Sequence, residues 1–490
     1  MLKSMKFMGL CLLLSACTGA GLTIKVSDEV ISSDYIGNGA EWDPYDESVE
    51  WGVQLSDKDW DVLFDRLDVM GMGYVRCMIN SPFLYWDAAA DSYDRTRNIE
   101  NLVKILSYCQ KNSMTVVFGE FNPPVPQMKD SQKWIEMSVD YLNYLVNDLG
   151  FTCIKHFVIF NEPDGDWAPV NGDYQLWLSM ARRFDAEMSK YPGLKDKVSI
   201  AAPDAVVHWV HPETGVDCSQ WMKAVAENAD DIVGIYDVHA YPGQTEVRNG
   251  SYAEKLRHLR SLVPQGKRII LGEAGFKYDK PGDKALLAEN TRRAEAHRYA
   301  GAADSNMMVY DHFYGLDMAL LAMDVMNSGF SGMAVWMLDD GAHSVGDTGV
   351  PQNIKVWGFW NILGEEVFGA PEEEEIRPWY YAWSLMCRFF PKGCDILSTS
   401  HDAVRGIRTC AAKADGRGSS ISIVNWSSKT YKSTVELPFD MNDARLYVYR
   451  DGGFSCDDDG MISALRTGLS GRRVDIEVPA ESLVVLTDMK

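Results

Sequence analysis

Two glutamates carry the strongest chemical signal in the sequence. Asn161-Glu162-Pro163 ends an apolar run, Phe157-Val158-Ile159-Phe160, and Glu273 ends another, Arg268-Ile269-Ile270-Leu271-Gly272. Two carboxyls at the C-terminal tips of two buried strands suit cleavage of a glycosidic bond: one protonates the leaving oxygen, the other attacks or stabilises the sugar carbon. A general acid must stay protonated near neutral pH, and burial at a strand end raises a carboxyl pKa in that direction. Asn161 is placed to bond a substrate 2-hydroxyl, and Pro163 fixes the turn behind the acid. A nucleophile must instead be ionised, so Glu273 needs a cation and hydrogen-bond donors close by. Arg76, in Tyr74-Val75-Arg76-Cys77, can supply the charge, because an Arg among apolar strand residues is expensive to bury unpaired.

In Asp237-Val238-His239-Ala240-Tyr241-Pro242, His239 and Tyr241 stand two apart and share one side of an extended chain. Tyr241 can donate to Glu273, and His239 can contact substrate or Glu162. Trp336 is a candidate floor for a sugar ring. Glu120 and Asn122, in Gly119-Glu120-Phe121-Asn122, are both candidate substrate ligands, and Trp42 and Trp167 are candidate stacking surfaces. Packing alone is the rival explanation for each aromatic, and a satisfied core residue the rival for the histidine. Asp204 with His208 and His211 has ligand types at short spacing but no third firm partner, so no metal or other cofactor is expected.

The elements that must position these residues alternate. From about residue 35 to 340, short apolar runs are separated by helix-period stretches, the pattern of repeated βα units and a parallel sheet. The eight strand candidates are Tyr35–Gly39, Tyr74–Met78, Thr115–Gly119, Phe157–Phe160, Val198–Ala202, Ile232–Val238, Arg268–Leu271 and Met333–Trp336. In Asp130–Gly150, Ile135, Val139, Leu142, Val146 and Leu149 form one apolar helix face, with Asp130 and Gly150 as caps. Eight units predict a closed (β/α)8 TIM barrel over residues 35–388. The two glutamates then fall on strands four and seven, 111 residues and three units apart. That spacing exceeds the roughly 31 residues per unit of a typical barrel only modestly. After about residue 389 the texture changes to short, turn-bounded apolar segments, which predict a C-terminal antiparallel β-sandwich over 389–490. The stretch 17–34 is expected to pair with that sandwich.

Lys3 and Lys6 precede a short apolar run, Phe7 to Leu14, and then Leu14-Ser15-Ala16-Cys17. Residues 1–16 read as a secretory signal, too short to span a membrane. The tail resembles a bacterial lipobox, which implies cleavage before Cys17, lipidation of its thiol and a place on the cell envelope, on either membrane face. The net charge of −23, near −25 once Lys3 and Lys6 are removed, repels phosphate and opposes nucleic acid as a partner. The ten Cys form no CxxC pair and read mostly as buried apolar thiols; Cys387 and Cys394 are near enough in sequence to bridge but are expected not to. The protein is expected to be a monomer.

With these residues assembled, the chain resembles glycoside hydrolase clan A, in its Asn-Glu-Pro strand, its strand-seven Glu, its strand-two Arg and its His-x-Tyr strand. The trailing sandwich resembles families 39 and 30, and Arg377-Pro378-Trp379-Tyr380-Tyr381-Ala382-Trp383-Ser384 is similar to the helix that returns from barrel to sandwich there. The resemblance implies retention by double displacement on a carbohydrate substrate, with Glu162 as acid/base and Glu273 as nucleophile. Glu273 is followed by Ala274-Gly275, a departure that leaves substrate specificity open. The aromatic stretch Trp357-Gly358-Phe359-Trp360 is placed to frame an aglycone site. A glycan-binding protein on an inactive barrel and a transglycosylase are the alternatives. The first has no need of both carboxylates, and the second uses the same residues as hydrolysis.

Overall fold

The computed structural model describes residues 20–50, 52–301, 304–342 and 354–490. The signal segment and Cys17 lie outside the described residues. Strand β1 (Ala20–Ser32) precedes eight parallel strands that close into a barrel: β2 (Gly37–Glu41), β3 (Tyr74–Ile79), β4 (Thr115–Glu120), β5 (Ile154–Val158), β6 (Ser199–Val206), β7 (Val233–Ala240), β8 (Ile269–Ala274) and β9 (Gly332–Val335). Closure is made by β9 against β2, with Gly332 opposite Gly37 and Val335 opposite Ala40.

Alternation along each strand decides what faces in. One parity, including Tyr74, Met78, Val117, Val158, Ala201, Ile235, Ile270 and Ala334, fills the barrel interior. The other, including Val75, Cys77, Phe118, Phe157, Tyr236, Val238 and Leu271, packs on the surrounding helices. Every expected strand overlaps an observed one, with shifted ends. β5 starts at Ile154 rather than Phe157 and leaves the sheet after Val158, freeing Ile159 to Asn161 to bend toward the site. The helix expected over Asp130–Gly150 is α1 (Gln132–Asn143) followed by a π turn over Tyr144–Asp148. Its cap is Ser131, whose side chain accepts from the Trp134 amide, and not Asp130. Asp130 instead pairs with Arg183 at 2.6 Å.

The second domain is one seven-stranded sheet of β1 with β10 (Asp395–His401), β11 (Ile407–Ala414), β12 (Gly418–Asn425), β13 (Tyr431–Arg450), β14 (Arg466–Val478) and β15 (Ser482–Thr487). β1 runs antiparallel to β10 and parallel to the first part of β13, so the sheet curls back on itself. The long β13 shifts register between Glu436 and Met441 and then pairs with β15. The enclosed core includes Ile24, Ile421, Val435 and Val484.

Barrel and sandwich meet at α2 (His312–Asn327) and α3 (Trp379–Arg388). α2 is buried from Tyr314 through Met326, because sheet and barrel cover it from both sides. Asp324 of α2 pairs with Arg408 of β11 at 3.2 Å, and the Tyr449 hydroxyl donates to the His312 carbonyl at 3.0 Å. All eight described cysteines are free thiols, Cys387 and Cys394 among them. Among the described residues no helix is long and apolar enough to cross a membrane.

Candidate active site

The C-terminal strand ends converge on Arg76, which is fully buried at the top of β3. Its Nη1 donates to Glu41 Oε2 at 2.6 Å and to Glu273 Oε1 at 2.7 Å. Its Nη2 donates to Asn161 Oδ1 at 2.7 Å and to Asp204 Oδ2 at 3.2 Å. One guanidinium therefore ties together the ends of four strands. Glu273, on β8, receives its second donor from Tyr241, whose hydroxyl lies 2.6 Å from Oε2. Burial and the facing Glu273 and Glu162 carboxylates hold the Tyr241 phenol well above its ordinary pKa, so it remains a donor. Both oxygens of Glu273 are thereby fixed, and the carboxylate is aimed.

Glu162 sits just beyond β5 in a left-handed backbone conformation, φ 45°, which a non-glycine residue adopts only when its surroundings impose it. Its amide donates to Asp204 Oδ2 at 3.3 Å. Its carboxylate accepts from Trp167 Nε1 at 2.8 Å and lies 2.9 Å from His239 Nδ1. Both His239 nitrogens face carboxylates: Nδ1 faces Glu162 and, at 3.4 Å, Glu273 Oε2, while Nε2 faces Asp204 Oδ1 at 3.0 Å. Burial opposes charge on this ring, but Asp204 and Glu273 outweigh it and raise the His239 pKa well above normal. Asp204 and Glu273 thus favour the charged form of the His239 ring, which bridges the two glutamates. One carboxylate oxygen of each lies within 4.8 Å of the other.

The remaining charges follow from burial. Burial favours a neutral Asp204, yet His239 and Arg76 overcome this and lower its pKa. For Glu41, burial prevails over Arg76 and raises it. Asp237, one step below His239 on the inward side of β7, is pushed up to about 8 by burial and by Asp204, against His239, Arg76 and the Gly272 amide, which favour its charge. The spacing of Glu162, His239 and Glu273, or of Asp204, Asp237 and His239, would suit a cation. Both His239 nitrogens already face carboxylates, however, and a ring charged and donating from both would have no lone pair to offer a metal.

Of the residues expected here, Glu162, Glu273, Arg76, Asn161, His239 and Tyr241 come together. Trp336 is half-buried beside Tyr241, Met337 and Trp357 in a small aromatic cluster at the end of β9. Trp167 is about half exposed, at 51%, with its ring against Trp209. Two expectations require correction, and parity is the reason for both. Trp42 follows inward-facing Glu41 and so points outward, buried among Trp60, Phe64 and Tyr108. Glu120 shares the outward parity of Phe118; it accepts from Tyr85 at 2.7 Å, from Trp134 at 3.1 Å and from Ser138, away from the barrel mouth. Asn122 is exposed, and its backbone carbonyl accepts from Ser81. In the aromatic stretch, Trp357 packs against Tyr241 at 5.9 Å, whereas Phe359 and Trp360 are core. Asp204 does not join His208 and His211; His211 faces Asn171 at 3.3 Å.

Two site residues were not singled out from sequence, and a third, Asp204, was noted only beside His208 and His211. Glu41 and Asp237 continue the inward parity of Gly39 and of His239, and that alternation could have revealed them. Asp204 follows a register shift in β6 and has φ 64°, so no regular period points to it.

The fold has known counterparts. A GH30 endoxylanase from Clostridium papyrosolvens superposes with TM-score 0.61 at 14% identity, covering 96% of this chain and 100% of that one. A GH39 β-xylosidase from Caulobacter crescentus gives 0.57 at 12%, covering 95% and 99%. A GH51 arabinofuranosidase from Xanthomonas axonopodis pv. citri gives 0.62 at 11%, covering 95% and 99%. The chain shares the barrel-and-sandwich fold of these three enzymes. No protein-family model matches the chain, and no curated protein matches it by sequence. The likeness to these glycosidases spans barrel and sandwich together, and at this identity it is a likeness of architecture.

Proposed function

We propose that the protein is a retaining glycoside hydrolase acting on β-linked glycosides or polysaccharides. The observation that carries this reading is the carboxylate pair: oxygens of Glu162 and Glu273 lie within 4.8 Å of each other at the barrel mouth. Inverting enzymes need about 6.5–9.5 Å between the carboxyls to admit a water, whereas retaining enzymes need only about 5–5.5 Å. The support each glutamate receives fits a division of labour. Glu273, aimed by Arg76 and Tyr241, attacks the anomeric carbon and forms a glycosyl ester as the aglycone leaves. Glu162 gives its proton to the leaving oxygen, then takes one from the water that hydrolyses the ester. His239 touches both glutamates, so it registers each change of charge between the two half-reactions. Asn161, held by Arg76, is left with its amide N–H groups for a substrate hydroxyl. Trp336 offers an apolar face beside Tyr241, backed by Trp357, and Trp167 offers one beside Glu162.

We also propose that the mature chain is tethered to the cell envelope by a lipid on Cys17, three residues before the start of β1; metabolic labelling with a fatty acid, lost in Cys17→Ser, tests this. The enzymatic reading is tested by trapping. A 2-fluoroglycosyl fluoride of the preferred sugar should label the protein once, and peptide mass mapping should place the label on Glu273. A label on another carboxylate, or inverted product in proton NMR, would overturn the assignment.

A further inference from the structure

The opposite end of the barrel holds a cavity of about 360 Å³ lined by Lys155, Lys195, Lys197, Arg268 and Lys392, with His156, Ser199 and Thr115. Only two carboxylates line it, Asp34 and Asp196. This is a local excess of cations in a chain with 47 basic and 70 acidic residues, so the overall field does not account for it. The cations are poorly neutralised. Lys392 donates to the Ser113 carbonyl at 3.0 Å and Lys197 to the Asn147 amide oxygen at 2.7 Å; neither partner carries charge. Arg268 is paired with Asp34 at 3.2 Å and Lys195 with Asp185 at 2.5 Å. Lys155 is exposed on β5 with no ion-pair partner among the described residues.

The neighbours register one another. Burial lowers the Lys392 pKa, and Lys155 and Arg268 lower it further, with Asp34 opposing them in part. Burial, then Arg268 and Lys155, push His156 down to about 3. The His156 ring is nearly enclosed, bonded through Nδ1 to Ser199 Oγ at 2.9 Å, while Nε2 has no partner among the described residues. Crowded, uncompensated cations around a concave polar pocket are relieved by an anion.

We propose that this cavity binds a phosphate monoester, a group carrying close to two negative charges near neutral pH, held by Lys155, Lys392 and Arg268 with His156 and Ser199 beneath. The volume lies in the range of small-molecule sites, which suits a sugar phosphate. A phospholipid headgroup presents the same chemistry, but β1 leads the chain away from the floor for 13 residues, roughly 40 Å at strand rise, so an N-terminal anchor would not bring the floor to a membrane.

Calorimetry on the full chain with inorganic phosphate and with glucose 6-phosphate tests the site without using turnover. Single-site saturable binding is expected for both, weakened about tenfold or more in Lys155→Met/Lys392→Met, since each lysine supplies a charge-assisted contact. If the double variant misfolds, exposed Lys155→Met alone should still weaken binding. The His156 proton resonances should titrate at higher pH with phosphate present. Absence of saturable binding, or binding in the variants within twofold of the parent chain, would mean an adventitious ion only and overturn the proposal. Co-sedimentation with phosphatidic acid vesicles but not phosphatidylcholine, with no affinity for glucose 6-phosphate, would overturn the assignment to a soluble ester.

Discussion

Strand β5 begins beside the floor with Lys155 and His156 and leaves the top toward Glu162; β8 follows Arg268 and carries Glu273 near its end. The same two strands thus present cations at one end of the barrel and carboxylates at the other, but the two ends treat charge differently. At the top, Arg76 and His239 are fully buried and each touches several acids. Each group there is held by others that also need it. At the floor, Lys392 and Lys197 lean on neutral carbonyls, Lys155 on solvent, and only Lys195 and Arg268 have an acid each. Charges interlocked inside a protein are costly to disturb singly, whereas exposed ones contribute little to stability. The top is built to hold one geometry, and the floor is left to accept something.

The largest effect is expected from Glu273→Ala. Hydrolysis of every substrate should fall by on the order of 10⁴ or more, because no covalent intermediate forms. The thermal midpoint should fall as well, because Arg76 and the Tyr241 hydroxyl lose a buried partner. A variant that kept measurable turnover on activated aryl glycosides would break the assignment of the top of β8.

Arg76→Met attacks the interlocking itself. Glu41, Asp204 and Glu273 would then share a dry site with no guanidinium, and the loss should be about 3–5 kcal/mol in denaturant unfolding. A loss as small as that of an exposed pair, below about 1 kcal/mol, would show that the top is no more cooperative than the floor.

Asp237→Asn sharpens the contrast by pH. Asp237 titrates at about 8 in the folded chain and near 3.9 when unfolded. Its folded pKa is raised, so the native state holds the proton more tightly than the unfolded chain. Its contribution is complete below about pH 4 and is lost as pH rises through about 8. The Asn variant should lose less stability between pH 5 and 8, by on the order of 1 kcal/mol per pH unit. Parallel stability curves for the two proteins would contradict the burial account of this residue.

The smallest effect is expected at the floor. Lys155→Met should leave kcat, KM and the unfolding midpoint within error of the parent chain. A clear drop in kcat would couple the two ends and void the comparison.

Much of the barrel was legible because its strands obey one rule: apolar runs at regular intervals with helix-period segments between them. Glu162 and Glu273 were legible because a charged residue that ends such a run must have a reason to be there. Parity gave the shared face of His239 and Tyr241. The same rule, carried one residue past β2 and along β4, would have turned Trp42 and Glu120 outward and Glu41 inward. Asp204 was hidden for a different reason. The register shifts at Asp204 itself, and the residue, left-handed with φ 64°, is held by Arg76, His239 and the Glu162 amide, none of which is near it in sequence. The basic floor was masked by composition: a net charge of −23 says nothing about where the cations gather.

The division of roles between the two glutamates is tested most directly by azide rescue of Glu162→Ala on an aryl β-glycoside with a good leaving group. Such a substrate needs little protonation, so the glycosyl ester on Glu273 should still form and then turn over slowly for want of a base. Azide, which needs no base, should restore turnover and yield a β-glycosyl azide. Rescue of Glu273→Ala in place of Glu162→Ala, or a Glu162→Ala variant with parental activity on unactivated glycosides, would contradict the account.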